Sequence, residues 1–243
     1  MGALIAGVYA TGKLDVFREW MRSVNKKKML ELTDFSLSLN HLVKGNRIIE
    51  AIMEFVPDVP IEELPIPYCA VATDWNTGRE VVFRKGSLFG AIRASISLPS
   101  FFEPVRRDGM ILIDGGVTNP IPMNRVKRSK GDILVGIDVS GRDYETQADI
   151  QDELAEKRSR SLSRQIIDKL IPDNLDFNHY TVLSRVSTMM IRQNSLLMAE
   201  LIKPDVLVDI QISRYGGFDY DKSEKLINIG RQKTKHVLNK YHN

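Results

Sequence analysis

Apolar positions change period several times along the chain, and each change marks a predicted element. Residues 1–12, Met-Gly-Ala-Leu-Ile-Ala-Gly-Val-Tyr-Ala-Thr-Gly, predict a helix stopping at Gly12. Gly2, Ala3, Ala6, Gly7 and Ala10 form a face of it that another backbone can approach closely. Residues 13–56 continue as partly amphipathic helical segments, broken at Gly45-Asn46 and carrying Lys26-Lys27-Lys28, which reads as a solvated face. Four prolines from Pro57 to Pro67 make a connector. The runs 68–75 and 80–83 predict strands joined through Asn76-Thr77-Gly78, a hairpin signal. Ser87 to Ser97 predicts a helix that stops at Pro99, and 110–114 a short buried strand ending at Gly115-Gly116. A further strand is predicted at 132–139. A long helix follows at 178–203, then a strand at 205–212 and a terminal helix from about Lys222. Met189, Met190, Leu196, Leu197 and Met198 on the long helix read as core filler rather than a lipid groove. Strands alternating with helices, without internal repeats, predict one three-layer α/β/α domain over residues 1–243.

Composition narrows the function classes. The chain has 243 residues, 43% hydrophobic and 27% charged, as expected of a globular domain able to bury a core. Its net charge of +3, from 34 basic and 31 acidic residues, is too small to imply a nucleic-acid partner. No apolar run approaches the roughly 20 residues that span a bilayer, so membrane contact is expected to be peripheral. The start lacks the basic lead of a signal peptide, and Ala6 stands where a myristoylation pattern needs Ser or Thr. Cys69 is the lone cysteine, which excludes an internal disulfide and predicts a reducing, cytoplasmic location. It reads as a small core residue. Residues 142–175 open with a strongly charged stretch that suits a mobile lid, a surface helix or a linker alike.

Candidate chemistry centres on Asp114. An apolar strand delivers this carboxylate to its C-terminal end, where active sites of α/β sheets gather, and two glycines then let the chain turn sharply away. By itself, Asp-Gly-Gly is equally a turn-nucleating aspartate. His41, His179, His236 and His242 have no metal-ligand spacing and sit in no motif, so neither a metal nor a cofactor is expected. No nucleotide-binding glycine pattern occurs.

The wider run Gly90-Ala-Ile-Arg-Ala-Ser-Ile-Ser-Leu-Pro99-Ser-Phe-Phe-Glu-Pro104, followed by Ile113-Asp-Gly-Gly-Val-Thr-Asn-Pro-Ile-Pro122, decides between these readings. It closely resembles the patatin-like phospholipase family, bacterial serine acyl hydrolases among them. In that family an Arg-Ala-Ser helix, a Pro-x-x-Phe-x-Pro segment and an Asp-Gly-Gly/Ala turn followed by Asn and Pro occur in this order. Tyr68 to Thr73 and Gly217 to Ser223 share the resemblance.

The resemblance implies a Ser-Asp dyad with Asp114 as general base, Gly115, Gly116 and Asn119 as supporting residues, and Asn119 bonding backbone groups of the turn. A carboxylate bonded directly to the nucleophile can take its proton without a histidine. Met1-Gly2 matches the last two residues of the family's Gly-x-Ser-x-Gly elbow. The nucleophile is therefore expected immediately before Met1, and the first strands and oxyanion loop of the patatin-like fold are expected upstream as well. Ser95, Ser97, Ser100 and Ser140 lack the flanking glycines. Phe101 and Phe102 read either as an acyl-pocket wall or as packing. The expected activity is hydrolysis of phospholipid, lysophospholipid or related fatty acyl esters, with the 243 residues inactive alone. The competing reading is a non-catalytic relative that binds lipid or protein through the same surface.

Overall fold

A computed structural model describes residues 1–34, 43–99, 101–141, 179–211 and 222–242. Residues 142–175, read as a lid, a surface helix or a linker alike, and the Gly217 part of the resemblance lie outside these.

The described chain runs α1 (Gly2–Ala10), α2 (Leu14–Ser23), α3 (Lys26–Leu32), α4 (Asn46–Met53), β1 (Ala70–Asp74), β2 (Glu80–Phe83), α5 (Leu88–Ser95), β3 (Val105–Arg107), β4 (Met110–Asp114), β5 (Val135–Gly141), α6 (His179–Ile202), β6 (Val206–Gln211) and α7 (Ser223–His242). Helices and strands are mixed along the chain, consistent with the α/β class. The described strands divide between two sheets: a four-stranded antiparallel sheet in the order β2-β1-β4-β3 and a parallel pair, β5-β6. The rule that places sites at the carboxyl ends of parallel strands therefore does not account for the position of Asp114. It ends β4 opposite Ala72 of antiparallel β1.

The predicted breaks hold. Gly12 and Gly45 both take positive φ, 70° and 81°, which a side chain disfavours. The 76–78 hairpin pairs Thr73 with Glu80 and Ala70 with Phe83. Helix α5 begins where Ser87 Oγ accepts the Gly90 N–H at 2.8 Å and donates to Asp58 Oδ2 at 2.8 Å. Asp58 in turn accepts the Phe89 N–H, so two side chains satisfy the first turn's free donors.

Three expectations are corrected. Helix α1 buries Leu4, Gly7, Val8 and Ala10 while Gly2 and Ala6 stay exposed, because burying Leu4 and Val8 removes more apolar area from water. Of its two glycines Gly7 makes the close approach: a Cβ there would lie 2.9 Å from Ile92 Cδ1 and 3.1 Å from Leu88 Cδ1 of α5, whereas one on Gly2 would meet nothing within 4 Å. Helix α6 reverses the expected polarity. Met189, Met190, Leu196 and Leu197 are exposed, whereas Arg192 and Ser195 are buried. Cys69 is only half-buried, its Sγ 4.0 Å from the Arg125 carbonyl, and burial raises its thiol pKa.

The main core joins α1, α2, α4, α5 and the inner strands through Val8, Phe17, Ile52, Val56, Leu88, Ile92 and Leu112. A smaller cluster of Ile121, Met123 and Leu134 meets Ala199 and Ile202 of α6. Among the described residues no helix is long and apolar enough to cross a membrane.

Candidate active site

Asp114 is held at three points, two on its backbone and one on its side chain. Its N–H donates to the Ser97 carbonyl at 2.9 Å, beyond the end of α5. Its carbonyl accepts from Thr73 Oγ1 at 3.1 Å, and that hydroxyl also pairs with Thr118 Oγ1 at 2.9 Å. Its side chain caps the 3-10 turn Gly115–Val117: Oδ1 accepts the Gly116 N–H at 2.6 Å.

Space requires the first glycine and favours the second. A Cβ on Gly115 would lie 2.1 Å from the Val71 carbonyl oxygen, inside any permitted contact. One on Gly116 would lie 2.9 Å from Asp114 Oδ1 and crowd the carboxylate.

Ser97 is itself fixed. Its hydroxyl donates to the Arg93 carbonyl at 2.8 Å and accepts from Arg93 Nη1 at 2.7 Å. The Arg93 guanidinium also donates to the carbonyls of Glu103 and Lys44, joining the end of α5 to the loop before β3 and to the chain before α4. Phe102 packs over Gly45 and beneath Arg93, whose guanidinium carbon lies 5.9 Å from the ring centroid. This is a packing role rather than a wall beside Asp114.

Asn119 differs from expectation. Its amide nitrogen donates to Glu80 Oε1 at 3.0 Å and Asn124 Oδ1 at 2.9 Å, so the side chain bonds other side chains, not the turn's backbone. Its own N–H does serve the turn, donating to the Gly115 carbonyl at 2.8 Å. Arg125 forks onto Glu80 and, with Asn119, holds that carboxyl below its ordinary pKa.

The Asp114 residue keeps some exposure, yet protein atoms crowd its carboxyl. Burial raises its pKa above the usual 3.8, opposed by the Met1 amino group and the Gly116 N–H. The amino group of Met1 is lowered in turn, by burial first, with the attraction of Asp114 acting against it. The two groups thus act on one another's charge.

The serines weighed in the sequence stand elsewhere. Ser95 is buried within α5, and the Ser97 hydroxyl is used up by Arg93. Ser140 Oγ donates to an aspartate, Asp138, at 2.6 Å, but that carboxylate is taken up by the ion pair with Arg192 Nη1 at 2.7 Å. Ser100 lies outside the described residues.

A shallow depression lined by Asn76, Arg106, Arg107 and Asp108 sits at the opposite end of β4 and is not this site. Two contributors escaped the sequence. Thr73 carries a signal, its place in the Tyr68–Thr73 run, whereas Asn194 of α6, whose Nδ2 donates to the Val117 carbonyl at 3.1 Å, carries none.

Comparison with known proteins bears on the same segment. The family model described as patatin-like phospholipase matches residues 1–126. An uncharacterized NTE family protein of Mycobacterium tuberculosis is 40% identical over 141 residues, covering 58% of this chain and 39% of that protein. Neuropathy target esterase sws of Drosophila melanogaster is 29% identical over 140 residues, 57% of this chain and 10% of its own length. Patatin-like phospholipase domain-containing protein 7 of Mus musculus is 29% identical over 146 residues, 59% of this chain and 11% of its own length. The chain therefore spans well under half the length of the curated relatives it matches. With the family model covering more than half of its residues, Asp114 included, the chain belongs to the patatin-like phospholipase family.

Proposed function

We propose that residues 1–243 form one patatin-like domain of a lipid acyl ester hydrolase, phospholipase- or lysophospholipase-like, in which Asp114 is the general base of a Ser-Asp dyad. The nucleophile is the residue directly before Met1 in the complete protein. One observation supports this reading: the Met1 amino group, where that residue would be attached, lies close enough to the Asp114 carboxyl to act on its charge.

Asp114 removes the serine proton as Oγ attacks the ester carbonyl carbon. It returns that proton to the departing alcohol or lysolipid oxygen as the tetrahedral intermediate collapses to an acyl-enzyme. Water then attacks the acyl carbon with Asp114 again as base, releasing fatty acid and restoring the serine. Gly115, Gly116, Asn119 and Ser97 keep the base in place. The substrate is met at a membrane or micelle surface from the cytoplasm.

Hydrolysis of a lysophospholipid or a short acyl nitrophenyl ester tests the reading in a protein carrying the residues upstream of Met1. Asp114→Asn should abolish turnover, by three orders of magnitude or more on the scale of lost dyad members, roughly. The 243-residue chain should show none. Retained turnover in Asp114→Asn reduces Asp114 to a turn residue. Lipid binding without turnover in the wild-type extended protein favours the non-catalytic relative.

A further inference from the structure

We propose that Asn194 is a positioning residue for Asp114: from α6 it holds the Val117 carbonyl and so fixes the turn whose Gly116 N–H orients the carboxylate. The inference rests on the reading of Asp114 as base.

The turn Gly115–Val117 needs an outside donor. In a 3-10 turn the carbonyl of residue i accepts the N–H of residue i+3. Three residues after Val117 stands Pro120, which has no N–H. Asn194 Nδ2 supplies the missing bond at 3.1 Å. From the same face of α6, Ile191 reaches the turn: its Cδ1 and Cγ1 would lie 3.8 and 3.9 Å from a Cβ on Gly116.

Helix α6 is held in the rotation that presents these residues. Arg192, between them in sequence, pairs with Asp138 of β5 at 2.7 Å and with Asp209 of β6 at 3.2 Å. Ser195 is fully buried, 3.4 Å from Ser140 Oγ. Arg192, Asn194 and Ser195 thus face inward while Met189, Met190, Leu197 and Leu201 face out. An amphipathic helix ordinarily has the opposite arrangement. Polar residues turned inward are retained here by the bonds they make, and the Asn194 bond ends on the Asp114 turn.

The test reads Asp114 through its donor. In the isotope-labelled 243-residue protein, the Gly116 amide shift should titrate with the Asp114 carboxyl, and Asp114→Asn should remove that titration. Among the described residues the charged group acting on Asp114 is the Met1 amino group; α5 and β1 bring its backbone the Ser97 carbonyl and the Thr73 hydroxyl, and Arg192 of α6 is occupied by Asp138 and Asp209.

In Asn194→Ala the turn loosens, the Gly116 bond that favours the ionised carboxyl weakens, and the midpoint moves to higher pH. Asn194→Leu, which fills the space without a donor, should do the same and carries the test should the alanine variant fail to fold. The Asn76 amide, which donates to Asp74 Oδ1 at the far hairpin, should keep its midpoint.

An unchanged Gly116 midpoint in a folded variant overturns the proposal. So does an equal shift at Asn76, the mark of general loosening. Failure of the catalytic reading is registered separately, by hydrolysis that survives Asp114→Asn.

Discussion

At Gly115 the chain passes so close to β1 that one added carbon would sit 2.1 Å from the Val71 carbonyl oxygen. The obstacle is backbone in a central strand and cannot swing aside. Gly115→Ala should therefore lower unfolding stability by about 3 kcal/mol, at the upper end of overpacking effects, as read from urea denaturation. Asp114 carries a different signature. Its pKa is higher in the folded state than the ordinary 3.8, chiefly through burial. The native state then holds the proton more tightly than the unfolded chain, so stability is greatest below the ordinary aspartate value. It falls as pH rises through the raised native value. Asn cannot ionise and escapes this loss. Asp114→Asn should thus melt at a higher temperature than wild type at neutral pH, the gap closing as pH drops toward 3.8. Equal melting at both pH values would show that the carboxyl is not held against ionisation.

Among the elements, β4 and α6 supply different things. Strand β4 is paired on both sides, with β1 and β3, and delivers Asp114 as the apolar run 110–114 predicts. Helix α6 meets both the Asp114 turn and the β5-β6 pair, and its seat depends on charge. Arg192 and Asp138 are nearly fully buried, with side-chain exposures of 10% and 7%. Removing one partner leaves the other charge without compensation in a poorly solvated place. Arg192→Met should cost about 3–5 kcal/mol in chemical denaturation, far more than loss of an exposed pair such as Arg18 with Asp15. A cost below about 1 kcal/mol would mean that packing alone seats α6.

Across the molecule, local periodicity and punctuation settled what each segment becomes. Gly12, Gly45, the 76–78 hairpin, the Ser87 start of α5 and the Asp-Gly-Gly turn are short-range events, governed by φ, by capping and by one or two neighbours, and each is legible in the sequence. Asp114, Gly115 and Gly116 could be singled out for the same reason, since motif and geometry lie within three consecutive residues. Which faces meet is a long-range matter. Helix α1 presents apolar residues all round, so its periodicity could not say that Leu4 and Val8 turn inward and Ala6 outward. In α6 the sequence pattern pointed the wrong way, because hydropathy cannot register that Arg192 finds two carboxylates 54 and 17 residues distant. Asn119 meets the turn through its own N–H, but its side chain's partner, Glu80, is 39 residues away on an edge strand. Asn194, 77 residues from Val117, had no signal at all. The sequence by itself determined the elements, the turn and the carboxylate, because those depend on backbone sterics and adjacent side chains. Tertiary structure alone decided what surrounds the carboxylate, because burial, ion pairing and donors from distant helices exist only once the chain has closed on itself.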